Sequence, residues 1–433
     1  MDLTNLLDSM KNCPCGKTHE CDLKAIEIGS GLLAKTADIL KANHFPTDIL
    51  VVADTNTLKA ADGILAILQN GGFRIKTKLF EDLRVAEYAE AENIAKLSAD
   101  SDGILSVGTG SLNDICRRAA LVADKEFAIF ATAPSMDGFA SVTSPLTANN
   151  FKISYPAKQP SVIIGDTAIL AKAPVELKSA GFGDMIAKYT ALTDWKLAKL
   201  TVGEPMCERV AAVTKAGLMR AVSLADKVTA EDEEAAGAIF EGLILTGLAM
   251  KLGDTTRAAS GAEHVVSHFW ECKKLEQGLL SDFHGKKCGV ATLMCIRLYK
   301  ELAKIEHPVF TEDQTDWDTV YAVYGENFRS EVEKYNTPTV TDETSPAVLT
   351  EHWQEIRRII NEELPSVEEL TALMKAAGCA TTAKEIGVAD DLAVLGLQYH
   401  PYMRHRMMLT RLVPMFDGLK IDWRTLAGME GKR

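Results

Sequence analysis

The chain has 433 residues, 47% apolar and 25% charged, with a formal net charge of −13 and a pI of about 5.3. So acidic a surface excludes nucleic acid as the expected partner, since phosphate-backbone binding needs basic patches. A small anionic substrate stays compatible, because the field inside a pocket is local.

The length predicts two domains rather than one core. The opening Met1-Asp2-Leu3-Thr4 lacks the basic and then apolar pattern of a secretory leader. No run approaches the roughly 20 apolar residues of a membrane span, so no membrane association is expected. The nine cysteines are odd in number and, beyond the amino-terminal segment 1–22, scattered. That pattern fits reduced thiols in a cytoplasmic location better than a disulfide framework. Cys13-Pro14-Cys15-Gly16, His19 and Cys21 form a tight group in that segment. Four such ligands can hold zinc structurally. The spacing is not that of a standard finger, and reduced loop cysteines are the simpler reading.

Residues 26–28 read as a strand, followed by Gly29-Ser30-Gly31 and an amphipathic run to about Lys41. Residues 48–54 read as a buried strand ending in Asp54, with Thr55 or Asn56 capping a helix to Gln69. A strand over 73–80, a helix over 85–97, a strand over 102–107 and strands over 127–131 and 162–166 complete the series. Such alternation predicts a parallel sheet covered on both faces, an α/β Rossmann-like nucleotide-binding domain over 1–172. From Pro174 the pattern changes to successive helices, which predicts an all-α metal- and substrate-binding domain over 173–433. Residues 201–205 and 337–346 read as loops, and Glu231-Asp232-Glu233-Glu234 as a solvated helix start.

Gly108-Thr109-Gly110-Ser111-Leu112-Asn113-Asp114 lies between a strand and a helix. Glycines admit a phosphate close to the backbone and the helix start offers free N–H groups, although the spacing is not the dinucleotide fingerprint. Asp54, at a strand end, can accept ribose hydroxyls and would repel a 2′-phosphate, favouring NAD over NADP; capping the next helix is the alternative. The loop 131–141, ATAPSMDGFAS, carries small hydroxyl residues suited to ligand contact.

Three imidazoles stand within 21 residues, in Ser260-Gly261-Ala262-Glu263-His264-Val265-Val266-Ser267-His268 and Phe283-His284-Gly285-Lys286. Gly183-Asp184-Met185 supplies a carboxylate. Asp184, His264 and His284 can bind a divalent metal and leave an open position, provided the fold gathers them. His264 and His268, four residues apart, share a helix face. Each residue taken singly is adequately explained as a satisfied structural group.

These motifs, with GFGDMIAKYTALTDWKLA at 181–198 and FHGKKCGVATL at 283–293, resemble in content and order the sn-glycerol-1-phosphate dehydrogenase family. That family, here most similar to its bacterial form, lies in the iron-containing alcohol dehydrogenase and dehydroquinate synthase-like superfamily. The resemblance covers roughly residues 22–300. It implies NAD, or NADP, contacts at Asp54, Gly108, Thr109, Gly110, Ser111, Leu112, Thr132, Ala133, Pro134, Ser135 and Ser141. It implies metal ligands at Asp184, His264 and His284, with zinc or nickel, or iron, as the ion. Catalytic contacts to substrate are implied at Asp137, Asp184 and His268. The implied reaction is reversible reduction of dihydroxyacetone phosphate to sn-glycerol 1-phosphate, serving phospholipid or related metabolism, in a homodimer. A glycerol dehydrogenase, or another metal-dependent polyol dehydrogenase of the superfamily, is the alternative. The substrate phosphate needs donors, for which Lys188, Arg257 and the Arg404–Arg406 patch are the candidates. The charged run from Phe310 to Glu369 departs from the family pattern.

Overall fold

The computed structural model describes residues 3–149 and 151–429. Helix α1 (Leu3–Met10) leads into β1 (Ala25–Gly29), α2 (Thr36–Ala42), β2 (Asp48–Asp54), α3 (Thr55–Ala60), α4 (Ile64–Asn70), β3 (Arg74–Phe80) and α5 (Tyr88–Leu97). Then follow β4 (Gly103–Gly108), α6 (Gly110–Val122), β5 (Glu126–Ala131), β6 (Thr143–Ala148), β7 (Phe151–Pro156), β8 (Val162–Asp166) and α7 (Thr167–Lys172). Six strands pair in the order β1-β8-β5-β4-β2-β3, every pair parallel. The inner strands are apolar and buried at nearly every position, as strands covered on both faces must be. Ile49, Val51, Leu105, Val107, Ala128, Phe130, Val162 and Ile164 pack with Leu40, Ile64 and Leu68.

The α/β part is thus the one predicted from the alternating pattern. Two local readings are corrected. The cap after β2 is Asp54, not Thr55 or Asn56: its carboxylate accepts from the Thr57 N–H at 2.8 Å and Thr57 closes a capping box. The helix read to Gln69 is two helices, α3 and α4, separated by Gly63 at φ +88°. The antiparallel hairpin β6–β7 had no sequence prediction, because Pro145 removes a backbone donor from what otherwise reads as a strand.

Past β8 come helices α8 (Val175–Ile186), α9 (Lys188–Val202), α10 (Glu208–Val222), α11 (Glu233–Gly253), α12 (Ala262–Glu276) and α13 (His284–Ala303). Helices α14 (Trp317–Tyr324), α15 (Glu326–Tyr335), α16 (Pro346–Glu363), α17 (Val367–Ala376), α18 (Asp390–Tyr399) and α19 (Trp423–Leu426) complete the chain, so the run 310–369 is folded helix for most of its length.

Two compact units result: 1–185 with 208–255 and 376–378, and 186–207 with 256–375 and 379–433. The change from strands to helices near residue 172 is therefore not the border between the units. Helices α10 and α11 join the first because α11 lies on the sheet. A Cβ at Gly165 of β8 would sit 2.2 Å from the Phe240 ring, so this strand position must stay bare for α11 to seat. Helix α11 also corrects the expectation that no segment is long and apolar enough to cross a membrane. It has 21 residues, and an 18-residue stretch of it has a mean hydropathy of 1.5, but 78% of that stretch is buried inside the fold. In the second unit Trp195, Trp270 and Trp353 are fully buried, and each indole N–H donates to a backbone carbonyl, of Pro205, Leu392 and Ile305.

At the end of β8, buried Asp166 fastens two connections. Its carboxylate accepts from the N–H groups of Gly31 (3.1 Å), Leu33 (2.8 Å) and Ala168 (3.1 Å), tying the β1–α2 loop to the start of α7. Substituting Asp166→Ala removes three part-buried hydrogen bonds to backbone N–H groups and should cost about 2 kcal/mol, read from the midpoint of urea unfolding.

Candidate active site

In the first unit the carboxyl ends of β4, β5 and β8 lie side by side, with Gly108 opposite Ala131 and Ala131 opposite Gly165. A parallel sheet delivers its loops at this end. The GTGS turn and the TAPS turn therefore leave the sheet as neighbours, and the Thr109 and Ser135 hydroxyls hydrogen-bond at 2.7 Å. Thr109 occupies the cap position of α6, and Gly110 opens that helix at φ +45°, a left-handed conformation that glycine takes without strain. The Ser111 hydroxyl donates to the Arg84 carbonyl. Leu112, Thr132, Ala133 and Ser135 are buried, and the Ser141 hydroxyl bonds that of Thr143 at 3.0 Å.

Beneath this loop runs Arg117, fully buried on α6, donating to the Asn113 and Thr143 carbonyls with Asp114 at 3.8 Å. Burial pulls its guanidinium below the usual arginine range, against the pull of Asp114 and Asp137. The Asp137 N–H donates to the Asp184 carboxylate at 2.9 Å, joining two of the expected site residues. Asp184 is wholly buried near the end of α8. One turn earlier, a Cβ at Gly181 would meet the Pro134 carbonyl oxygen at 1.8 Å, so α8 touches the TAPS turn backbone to backbone.

In the second unit His264 and His268 stand one turn apart on α12, and His284 is the first residue of α13. Ring centroids are 5.1 Å apart for His264 and His284, 5.8 Å for His268 and His284 and 6.4 Å for His264 and His268. Cys288, one turn after His284, adds a buried thiol 3.5 Å from the His284 Nε2. The ligand atoms of His264, His284 and Cys288 lie within 4.8 Å of one another. Sequence reasoning passed over Cys288, although the four-residue spacing in His284-Gly285-Lys286-Lys287-Cys288 was there to read.

Glu263, also missed, fixes the first imidazole. It is wholly buried and accepts from the His264 Nδ1 (2.7 Å), the Gly261 N–H (2.7 Å) and the Thr190 hydroxyl. Burial alone would raise its carboxyl, but the contacts from His264 and Thr190 bring it below the usual carboxylate range. A proton held on Nδ1 directs the Nε2 lone pair outward, the arrangement of a metal-ligating histidine. Burial, with Arg404 and His284 beside it, holds the His268 imidazole well below its ordinary range, so the ring is neutral.

The cationic candidates separate. Arg257 spends its guanidinium on Glu204 and on the Met407 carbonyl. Buried Lys188 donates to the Ala259 carbonyl at 3.0 Å. Arg406 donates to the Ser260 carbonyl and the Thr256 hydroxyl. Arg404 bonds its neighbour Met403, stacks over Tyr335 and acts on His268 through space.

The profile of the family described as iron-containing alcohol dehydrogenase matches residues 27–174. A glycerol-1-phosphate dehydrogenase (NAD(P)+) from Bacillus velezensis is 30% identical over 363 residues, 82% of this chain and 82% of that protein. The chain belongs to the glycerol-1-phosphate dehydrogenase family. A second member, from Geobacillus stearothermophilus, is 29% identical over 96% of this chain and 97% of its own length. Like the family, the protein is an NAD(P)-dependent oxidoreductase acting on CH–OH groups. Crystallographic glycerol dehydrogenase from Schizosaccharomyces pombe superposes with a TM-score of 0.60 at 16% identity, covering 95% of this chain and 90% of that one, which shows the shared fold.

A second buried carboxylate stands under α12 in this family member. Asp194 accepts from the Tyr299 hydroxyl (2.7 Å) and from the N–H groups of Ala262 (2.9 Å) and Leu409 (3.1 Å). Burial and then the nearby Glu263 raise it to about 6. An acid raised on folding stabilises the fold most while protonated, and that contribution is lost as pH rises through about 6. Asp194→Asn should therefore flatten the fall of unfolding free energy between about pH 4 and about pH 7, followed by denaturant titration across that range. An unchanged slope would show that Asp194 does not carry the pH dependence.

Proposed function

We propose that the protein catalyses reversible reduction of dihydroxyacetone phosphate to sn-glycerol 1-phosphate, with NAD(H) preferred over NADP(H). The observation that carries this is the buried Glu263–His264 pair beside His284 and Cys288. Two imidazoles with a carboxylate as ligands, and the Cys288 thiol close to both imidazoles, suit zinc or nickel, or iron, and not magnesium or calcium. Asp184, His264 and His284 would be the ligands, Asp184 being the carboxylate at the point where α8 passes into the second unit. The bound ion supplies Lewis acidity toward a ketone oxygen, and the bound nicotinamide supplies the hydride.

The chain's own residues do the rest. The GTGS turn and the start of α6 receive the cofactor diphosphate at backbone N–H groups. Asp54, with one carboxylate oxygen on Thr57, turns the other to a ribose hydroxyl, which disfavours a 2′-phosphate. Thr132 to Ser135 and Ser141 close around the cofactor. Asp137, its backbone bonded to Asp184, orients the substrate hydroxyls. His268, neutral at physiological pH, has one N–H and one lone pair, so it relays a proton to the substrate oxygen rather than storing one. Homodimer assembly and a cytoplasmic location accompany this reading, supported by the resemblance and by the scattered cysteines.

The deciding assay compares NADH oxidation with dihydroxyacetone phosphate and with dihydroxyacetone. Strong preference for the phosphate ester, abolished by a chelator and restored by zinc or nickel, is expected. Equal turnover of the unphosphorylated ketone would move the assignment to a glycerol dehydrogenase.

For the phosphate, Arg404 is the donor this reading favours, since Arg257 is fastened to Glu204 and Lys188 to a carbonyl. Arg404→Met should raise KM for the phosphate substrate about 10- to 100-fold, the value of one charge-assisted contact, while leaving the unphosphorylated ketone unaffected. Equal losses on both substrates would assign Arg404 a structural role.

A further inference from the structure

The amino-terminal segment is fastened to the first unit by polar contacts rather than by a core of its own. Arg209, in the first turn of α10, donates to the Ser9 carbonyl at 2.8 Å and the Lys11 carbonyl at 3.1 Å. Lys17 donates to the Gly253 carbonyl at the end of α11. His19 is buried, and its Nδ1 lies 2.6 Å from the Leu252 carbonyl. Only a protonated Nδ1 can make that contact, so the lone pair is on Nε2. That nitrogen lies 3.2 Å from the Cys15 sulfur.

Between Cys13 and His19 the chain turns sharply. The Gly16 N–H donates to the Cys13 carbonyl, and Gly16 takes φ +76°. The turn folds both thiols back toward the imidazole, and the ligand atoms of Cys13, Cys15 and His19 lie within 4.8 Å of one another. Cys21, expected from spacing to be the fourth member, is not in the group, and burial raises its thiol. A different thiol adjoins, along the chain, the helix that grips this segment. Buried Cys207 directly precedes α10, two residues before the Arg209 that grips Ser9 and Lys11.

We propose a structural zinc site in which Cys13, Cys15 and His19 are ligands and Cys207 is the fourth. Three thiolates with one imidazole are the donor set of a closed, tetrahedral zinc site, with no position left for substrate. The Leu252 carbonyl behind His19 plays the part of the outer partner that orients a ligating imidazole. Each thiol loses its proton on binding, and the metal–sulfur bonds replace a hydrophobic core that the segment is too short to build. The ion would clip the amino-terminal segment to the ends of α10 and α11, outside the reaction.

The test uses the full chain expressed with zinc. Metal is counted per chain by elemental analysis, and cobalt-substituted protein is scanned for thiolate-to-cobalt charge transfer. Expected are about one more metal equivalent in the wild type than in Cys15→Ser, and loss of the charge-transfer band in Cys15→Ser but not in His284→Ala. The last comparison separates this site from the one proposed for catalysis. Cys15→Ser should lower Tm by several degrees and keep kcat. Should Cys15→Ser fail to fold, thiol titration of the wild type decides: chelation should expose two or three further reactive thiols, with Cys13 and Cys15 among those labelled. Equal metal content in wild type and Cys15→Ser, thiol reactivity indifferent to chelator, or a Cys13–Cys15 disulfide by mass would each overturn the proposal.

Discussion

A carboxylate sealed away from water must be answered by donors, and Glu263 sets the terms for everything around it. Burial of an ion without partners costs several kcal/mol, so the Gly261 N–H, the Thr190 hydroxyl and the His264 ring have little freedom to be elsewhere. Those three contacts fix the entry of α12, the register of α12 against α9 and the tautomer of His264. Asp194 repeats the device one layer away, holding the first turn of α12 through Ala262 and tying it to α13 through Tyr299. The His264 imidazole is thus held by a polar lattice inside an otherwise apolar bundle, oriented before any ligand arrives.

The first unit solves a different problem. Six parallel strands bring their loops to one edge, and those loops must lie close together without collapsing. Small residues and hydroxyls do this: Thr109 bonds Ser135, Ser141 bonds Thr143, and α8 meets the Pro134 carbonyl at a residue with no side chain. Arg117 props the same loops from below, a cation kept in the interior because carbonyls and nearby acids surround it.

Much of this was legible in the chain. The four inner strands are short, continuous apolar runs and could be read from that, while the edge strand β3 was legible from its alternation of apolar with polar residues; the change to helix after β8 was legible too. The histidines and Asp184 stood out because their spacing repeats one helical turn or their motif follows a glycine. What escaped had specific causes. Pro145 disguised β6. Glu263 reads as one more polar residue in a helix unless its burial is known. Cys288 was hidden inside a lysine-rich stretch, and Cys207 lies far along the chain from the cysteines it is proposed to join. Cys21 took its place in the spacing argument because sequence distance was the only distance available. Helix α11 escaped for the opposite reason: its glycines and alanines mask how few charges it carries.

That helix has a bearing on biogenesis. By length and composition alone, an 18-residue stretch of this helix is apolar enough to be taken for a membrane span as it leaves the ribosome. Here it is made only after β1 through β8 and α7, the surfaces that Gly237 and Phe240 fit against through Thr167, Ile28 and Gly165. The order of synthesis therefore offers the nascent helix a complementary seat as soon as it emerges. A circular permutant that placed α11 first would lose that protection and compete between bilayer, chaperone and fold.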